Sequence, residues 1–460
     1  MTIKKLHIPF IIIIFLFLSF TCISNNPQNS GGIKNSGNKE KTSAIDDPDY
    51  FTKDYLHYED YIYNENIKTI VFSKNGFVFS SPIINFGSEE TINLSFDDLS
   101  GDLKTFKYTF ILCDAYWKPS KLKQNEYIEF NSEDIITDFK FSRSTHQKFV
   151  HYSLIFPNEN LKPIKAGNYV LLVFNDDESK TPVLTRRFFV ADQQVTIDAK
   201  VAKPVSVEYQ KYKQSVDFSI NRANYYIANP YQDLNVIITQ NGRWDNAILN
   251  LKPRIVKGDI LDYSYEDETT FSGGNEFRSF DIKSLRYYSE RVKKITRDSV
   301  SNTNIILFDD ERRPFKTYQT KTEIKGKMYV KSEDNVVDSD IEAEYVMVHF
   351  FLKYDAPLVD GSIYIMGAIT DWRFSKEALM KYNYTKKGYE AVLYLKQGYY
   401  NYEYVFLENG KKVGDETLVE GMHFETNNDY TIYVYNRETG LDYDKLIGVK
   451  QINTYTTTNN

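Results

Sequence analysis

The stretch Thr91-Ile-Asn-Leu-Ser-Phe96 alternates apolar and polar side chains without a break. Successive side chains of a strand point to opposite sides, so Ile92, Leu94 and Phe96 fall on one face and Thr91, Asn93 and Ser95 on the other. The run Asp97-Asp-Leu-Ser-Gly-Asp102 reads as a solvated turn, and the chain returns as a second strand from Phe106 to Cys113. Outward from this pair the same pattern recurs. His151-Tyr-Ser-Leu-Ile-Phe156 alternates again, and Gly167-Asn-Tyr-Val-Leu-Leu-Val-Phe174 and the run from Leu184 to Val190 read as a closing strand pair. Short strands of this kind, punctuated by turn signals, predict a β-sandwich.

Two further blocks follow. In the middle one, Val216 to Ile220, Leu234 to Thr239 and Asn304 to Phe308 read as strands, and Asn241-Gly242 is a hairpin signal because both residues accept positive φ. The third contains Tyr345 to Leu352, Gly361 to Gly367 and Tyr389 to Leu395, and then Tyr400, Tyr402, Tyr404 and Phe406 striping one face of a strand. Tyr430 to Tyr435 closes that block. The expectation is an all-β protein of about three immunoglobulin-like β-sandwich domains in tandem, at 56–193, 194–335 and 336–450, with a polar tail at 451–460. One tryptophan falls in each block (Trp117, Trp244, Trp372), which predicts one large core anchor per sandwich.

Composition fits this reading. Hydrophobic residues are 42% of the 460 and charged residues 26%, enough apolar surface for globular cores. Tyr (37) and Phe (31) dominate the aromatics and favour pleated, half-buried surfaces. The formal net charge of −7, with no basic stripe, argues against nucleic-acid binding, which needs clustered Lys and Arg. Lys4 and Lys5 precede an apolar run from Ile8 to Phe20, which predicts an export signal over residues 1–22. Cys22 closes that run and is the candidate lipid anchor. Residues 23–55, rich in Asn, Ser, Gly, Lys and Asp, read as a disordered linker.

The chain carries no G-x-S-x-G, H-E-x-x-H, G-x-G-x-x-G or phosphate-loop motif. His146 and His151 are five residues apart, which on a strand places them on opposite faces, a poor metal pair. Cys113 lies within an apolar strand and reads as an inert core thiol. No catalytic residue, metal, cofactor or small-molecule substrate is therefore expected, and binding is the expected mode of action. Gln240-Asn-Gly-Arg-Trp-Asp-Asn-Ala247 and Phe271-Ser-Gly-Gly-Asn-Glu-Phe-Arg278, followed by Asp281 to Arg286, are dense in the residue types that dominate protein interfaces. They nominate Arg243, Trp244, Asp245, Asn275, Phe277, Arg278 and Arg286 as partner-contacting residues.

Two resemblances add to this reading. Gly367-Ala-Ile-Thr-Asp-Trp372 between two strands, followed by Gly398 and Tyr400-Asn-Tyr-Glu-Tyr404, resembles the immunoglobulin-like, glycogen-binding type of sandwich. That likeness implies an alternative function, a surface or periplasmic lipoprotein binding glycans through exposed Trp372, Tyr400, Tyr402 and Tyr404. The ordered strings Phe96 to Asp102, Cys113 to Ser120, His151 to Asn158, Leu184 to Phe188, Gln240 to Ala247, Gly273 to Arg278 and Leu395 to Tyr402 resemble the plug protein family of the type IX secretion system. This second resemblance implies a non-catalytic plug at the inner face of the outer membrane. Its implied partner is a very large outer-membrane β-barrel, whose periplasmic opening it closes when no cargo is engaged. A lipid on Cys22 would hold it there.

Overall fold

A computed structural model describes residues 55–298, 302–437, 440 and 442–455. The expected export signal, Cys22 and the linker up to residue 54 lie outside the described residues.

The chain is all-β, as the alternation predicts. In the first sandwich, Ile92–Asp98 sits between Ile67–Lys74 and Val150–Phe156, with Asp138–Phe141 at the edge. The facing sheet is built on Pro182–Ala191, Gly167–Asn175 and Phe106–Cys113. Ile92, Leu94 and Phe96 all point into the core between them. Phe110, Phe156 and Phe188 form a triad there with every pair of ring centres 5.1 Å apart, a geometry that adds about 0.5–1.5 kcal/mol per pair to area burial. Cys113 is buried, and burial pushes its thiol well above the usual range. The structure corrects the turn: Asp97 and Asp98 end the strand as buried residues, and of the three aspartates only Asp102 is exposed.

The second sandwich pairs Thr196–Ala202 and Lys213–Asn221 with short strands Ile255–Lys257, Ile260–Asp262 and Thr270–Ser272. Its other sheet runs Arg243–Leu251, Leu234–Gln240, Asp429–Asn436, Lys445–Asn453. Asn241 (φ 52°) and Gly242 (φ 75°) make the tight turn of its hairpin, both left-handed as that turn requires. The third sandwich packs Arg278–Asp281, Gly398–Glu408, Met328–Val330 and Gly361–Met366 against Val292–Arg297, Thr303–Leu307, Tyr345–Lys353, Gly388–Lys396 and Lys381–Asn383.

This is not the tandem partition expected at 194–335 and 336–450. Tyr430 to Tyr435 does not close the third block; it pairs with Leu234–Gln240, Val434 opposite Val236. Conversely, Arg278–Asp281, Val292–Arg297 and Thr303–Leu307 belong to the third sandwich. The third sandwich is inserted into the second. Alternation identifies a strand but not its partner, which is the physical reason for the discrepancy. The last strand also runs to Asn453, beyond the expected limit at 450.

The tryptophans are corrected too. Trp117 and Trp244 do not anchor separate cores; they meet edge to face at 5.3 Å in the seam between the first and second sandwiches, with Phe189 and Tyr433. The Arg187 guanidinium lies over both indoles, at 4.3 and 5.5 Å.

Candidate binding interface

Alternation along the Arg243–Leu251 strand sends neighbouring side chains to opposite sides. Trp244 enters the aromatic seam, whereas Arg243 points to the third sandwich and is buried. Its guanidinium is 2.7 Å from Asp245, 3.5 Å from Glu403 and 3.7 Å from Glu416. Burial opposes the Arg243 charge, but Asp245, Glu416 and Glu403 outweigh it and raise its pKa. For Glu403 the balance reverses. Burial, joined by the negative charge of Glu416 and Glu420, outweighs Arg243 and pushes the carboxyl up to about 8.

Arg278 is also interior. It donates to Glu420 at 2.9 Å, to Asp310 at 2.9 Å and to the Glu311 carbonyl at 2.8 Å. Asp310 further accepts from Tyr402 (2.7 Å), Tyr404 (2.8 Å) and Arg291 (2.8 Å). Burial would raise the Glu420 carboxyl, but Arg278 and Arg313 outweigh it and hold the group below its ordinary value. Phe277 packs edge-on to Trp372 at 5.9 Å, and the Asn275 amide donates to the Glu420 carbonyl at 2.8 Å. Five of the seven nominated residues, Arg243, Trp244, Asn275, Phe277 and Arg278, are therefore built into the body rather than offered as surface. Asp245 sits at the rim, held by Arg243.

Arg286 alone stands well clear, with 64% of its side chain exposed and its Nε 3.7 Å from Asp334. Tyr287 and Tyr288 follow it in the same loop, and Tyr288 is 62% exposed. Sequence reasoning missed these two; an aromatic pair directly after a nominated arginine is the signal that identifies them. A second exposed group is Phe77-Val78-Phe79, in the loop between Ile67–Lys74 and Ile83–Asn85, where Phe77 is 64% exposed. Phe79 lies 6.0 Å from Tyr329 of the third sandwich. Three consecutive apolar residues after Asn75-Gly76 carry that signal. Contiguous exposed apolar groups of this kind mark interaction sites.

The Gly367-to-Trp372 loop faces inward. Asp371 accepts from the buried Arg186 of the first sandwich at 3.0 Å, and the Arg373 guanidinium lies 3.9 Å from the Tyr61 ring centre. Tyr400, Tyr402 and Tyr404 are fully buried. A glycan site needs exposed, coplanar aromatics, and these residues do not form one.

Residues 67–192, the greater part of the first sandwich, match the family model for the first domain of the type 9 secretion system plug protein. The chain belongs to the type 9 secretion system plug family. Membership gives the protein a role in type IX secretion, in association with the secretion machinery of the cell envelope, and points to a structural component rather than an enzyme. The chain is also similar to a crystallised hypothetical protein from Parabacteroides merdae. The two are 34% identical, the match covers 87% of this chain and 100% of that one, and the TM-score is 0.83. No functionally curated protein matches. Among the described residues no helix is long and apolar enough to cross a membrane.

Proposed function

We propose that the protein is the plug subunit itself. It binds the periplasmic opening of a very large outer-membrane β-barrel and closes it when no cargo is engaged. The observation that carries this reading is the match of residues 67–192 to the first domain of the plug family. A barrel with a wide aqueous lumen needs an occluding partner, and an occluding partner needs a body that does not deform. Three cores cross-linked by buried aromatic and ionic seams supply such a body. Arg286, Tyr287 and Tyr288, with Phe77 to Phe79, are the side chains that meet the barrel, because Arg and large aromatics carry most interface energy. Lipidation at Cys22 would keep the plug near the barrel and raise its effective concentration there.

The test is a pull-down of the tagged protein from detergent-solubilised envelopes, with mass spectrometry of what accompanies it. Co-purification of a very large outer-membrane barrel, lost when cargo is engaged, is the expected result. Consistent recovery of the barrel without this protein overturns the reading. Replacing Arg286 and Tyr288 with Ala together lowers recovery by about tenfold or more, the scale of one interface hot spot, and leaves the thermal midpoint unchanged because both side chains are exposed.

A further inference from the structure

The third sandwich buries one face of its five-stranded sheet and leaves part of the other open as a cleft of about 890 Å³. Strand register sets the floor of this cleft. Ile306 lies opposite His349 and His349 opposite Val392; two residues further along, Phe351 lies opposite Glu390 and Glu390 opposite Lys381. Residues opposite one another share a face. These face away from the core, because the alternate positions Val348, Phe350, Ala391 and Leu393 are buried in it. Ile306, Phe351 and Val392 make the floor apolar, and Val392 is 47% exposed. Four adjacent strands at a spacing of about 4.8 Å make it about 14 Å across, the length of about four extended residues.

The rim is cationic. Lys293, Lys376, Lys381 and Lys386 line the cleft, and Lys68 reaches it from the first sandwich by pairing with Glu377 at 2.7 Å. The other two lining carboxylates are also engaged, Asp309 by Lys293 at 3.5 Å and Glu390 by Lys386 at 2.9 Å. Lys376 and Lys381 are exposed and have no carboxylate partner among the described residues. Five ammonium groups thus face three carboxylates, in a chain whose formal charge is −7. Burial, and after it the charge of Lys386, holds the His349 pKa below its ordinary value, so at neutral pH the imidazole adds no charge to the floor. A ligand that satisfies this cleft carries carboxylates above and apolar side chains below. A flat membrane surface does not reach the floor of a cleft, whereas an extended polypeptide does.

We propose that this cleft is the docking site for an acidic, extended segment of a second protein. Its carboxylates meet Lys376 and Lys381, and its apolar side chains cover Ile306, Phe351 and Val392. An extended backbone turns successive side chains to opposite sides, so an alternation of acidic and apolar residues presents both sets at once. The side chains assigned to the barrel, Arg286 to Tyr288 and Phe77 to Phe79, do not line this cleft. The inference is therefore independent of the barrel, and either can fail without the other.

The test titrates the purified protein into a fluorescein-labelled peptide, Asp-Phe-Asp-Leu-Asp-Phe-Asp, and reads fluorescence anisotropy. Saturable binding is expected, about tenfold weaker in K376E/K381E and measurably weaker in V392S. Binding also weakens in 1 M salt, where the screening length shortens to about 3 Å. K411E/K412E makes the same charge change at an exposed lysine pair elsewhere and leaves binding unchanged. All the substituted side chains are exposed, so the thermal midpoints stay at the parent's value. No saturable binding, equal binding of the peptide with Lys in place of each Asp, full affinity in K376E/K381E, or an equal loss in K411E/K412E each overturn the proposal. Phosphatidylglycerol vesicles bound through the same lysines in preference to the peptide overturn it as well, and assign the cleft to a lipid surface.

Discussion

Asp97 and Lys396 form a buried ion pair, 2.6 Å apart, between the first and third sandwiches. The second Asp97 oxygen is 2.7 Å from His151 Nδ1, and the Tyr345 hydroxyl donates to the carboxylate at 2.7 Å. A carboxylate satisfied on both oxygens is tolerated inside a protein; one stripped of its cation is not. Lys396→Met leaves that charge uncompensated and is expected to cost about 3–5 kcal/mol in urea unfolding, part of which D97N in the same chain restores. Glu403 carries the opposite lesson. Its folded pKa of about 8 lies above the ordinary 4.5, so the folded protein holds a proton that the unfolded chain has released. The stability this provides is complete below pH 4.5 and is lost as pH rises through 8. The thermal midpoint of the parent is therefore expected to fall more between pH 5 and about pH 8.5 than that of E403Q. A steeper fall in the variant would contradict the assignment.

At the scale of the element, the Gly367-to-Arg373 loop is the part most open to misreading. Asp371 (φ 58°) and Trp372 (φ 53°) are consecutive left-handed residues, a conformation costing about 1–2 kcal/mol each and kept only where the surroundings impose it. Arg186 holds Asp371, and Gly326 gives Trp372 room. A Cβ on Gly326, itself at φ 69°, would stand 2.5 Å from the indole and 2.8 Å from Phe277. Gly326→Ala is expected to destabilise by about 1–3 kcal/mol and to shift tryptophan emission to longer wavelength as the ring is displaced. Unchanged emission and stability would mean the loop is not wedged there. The sequence makes this loop legible as a turn between strands, and period-two alternation makes Ile92, Leu94 and Phe96 legible as a core face. What Asp371 faces is not legible, because Arg186 is 185 residues away. The nominated interface misleads for a related reason. Arg243 and Trp244 have the composition of a partner contact because they do form interfaces, between sandwiches of one chain, whereas Phe277 and Arg278 are spent on packing and ion pairs within the third sandwich.

The whole molecule is interlocked. The Trp117–Trp244 seam joins the first sandwich to the second, Asp97–Lys396 and Arg186–Asp371 join the first to the third, and Arg243–Glu403 joins the second to the third. The connection is also topological, because the third sandwich interrupts the second. Asp429–Asn436 pairs with Leu234–Gln240 along its full length, and Lys445–Asn453 pairs with Asp429–Asn436. Tyr430, Ile432, Val434 and Ile447 complete the second core with Val216, Phe218 and Val236. A chain ending at residue 428 thus loses two of the four strands of that sheet and leaves the Leu234–Gln240 strand with a bare edge and an open core. A three-domain tandem would lose only its last sandwich, and residues 194–335 would fold alone. The interlocked arrangement predicts the reverse. The truncated chain should be cut rapidly by protease between residues 194 and 277, while its first sandwich persists as a resistant fragment. The full chain should show one calorimetric transition for the second and third sandwiches together. A fragment 194–335 that melts cooperatively by itself would break the interlock, and with it the rigid body that the plug reading requires.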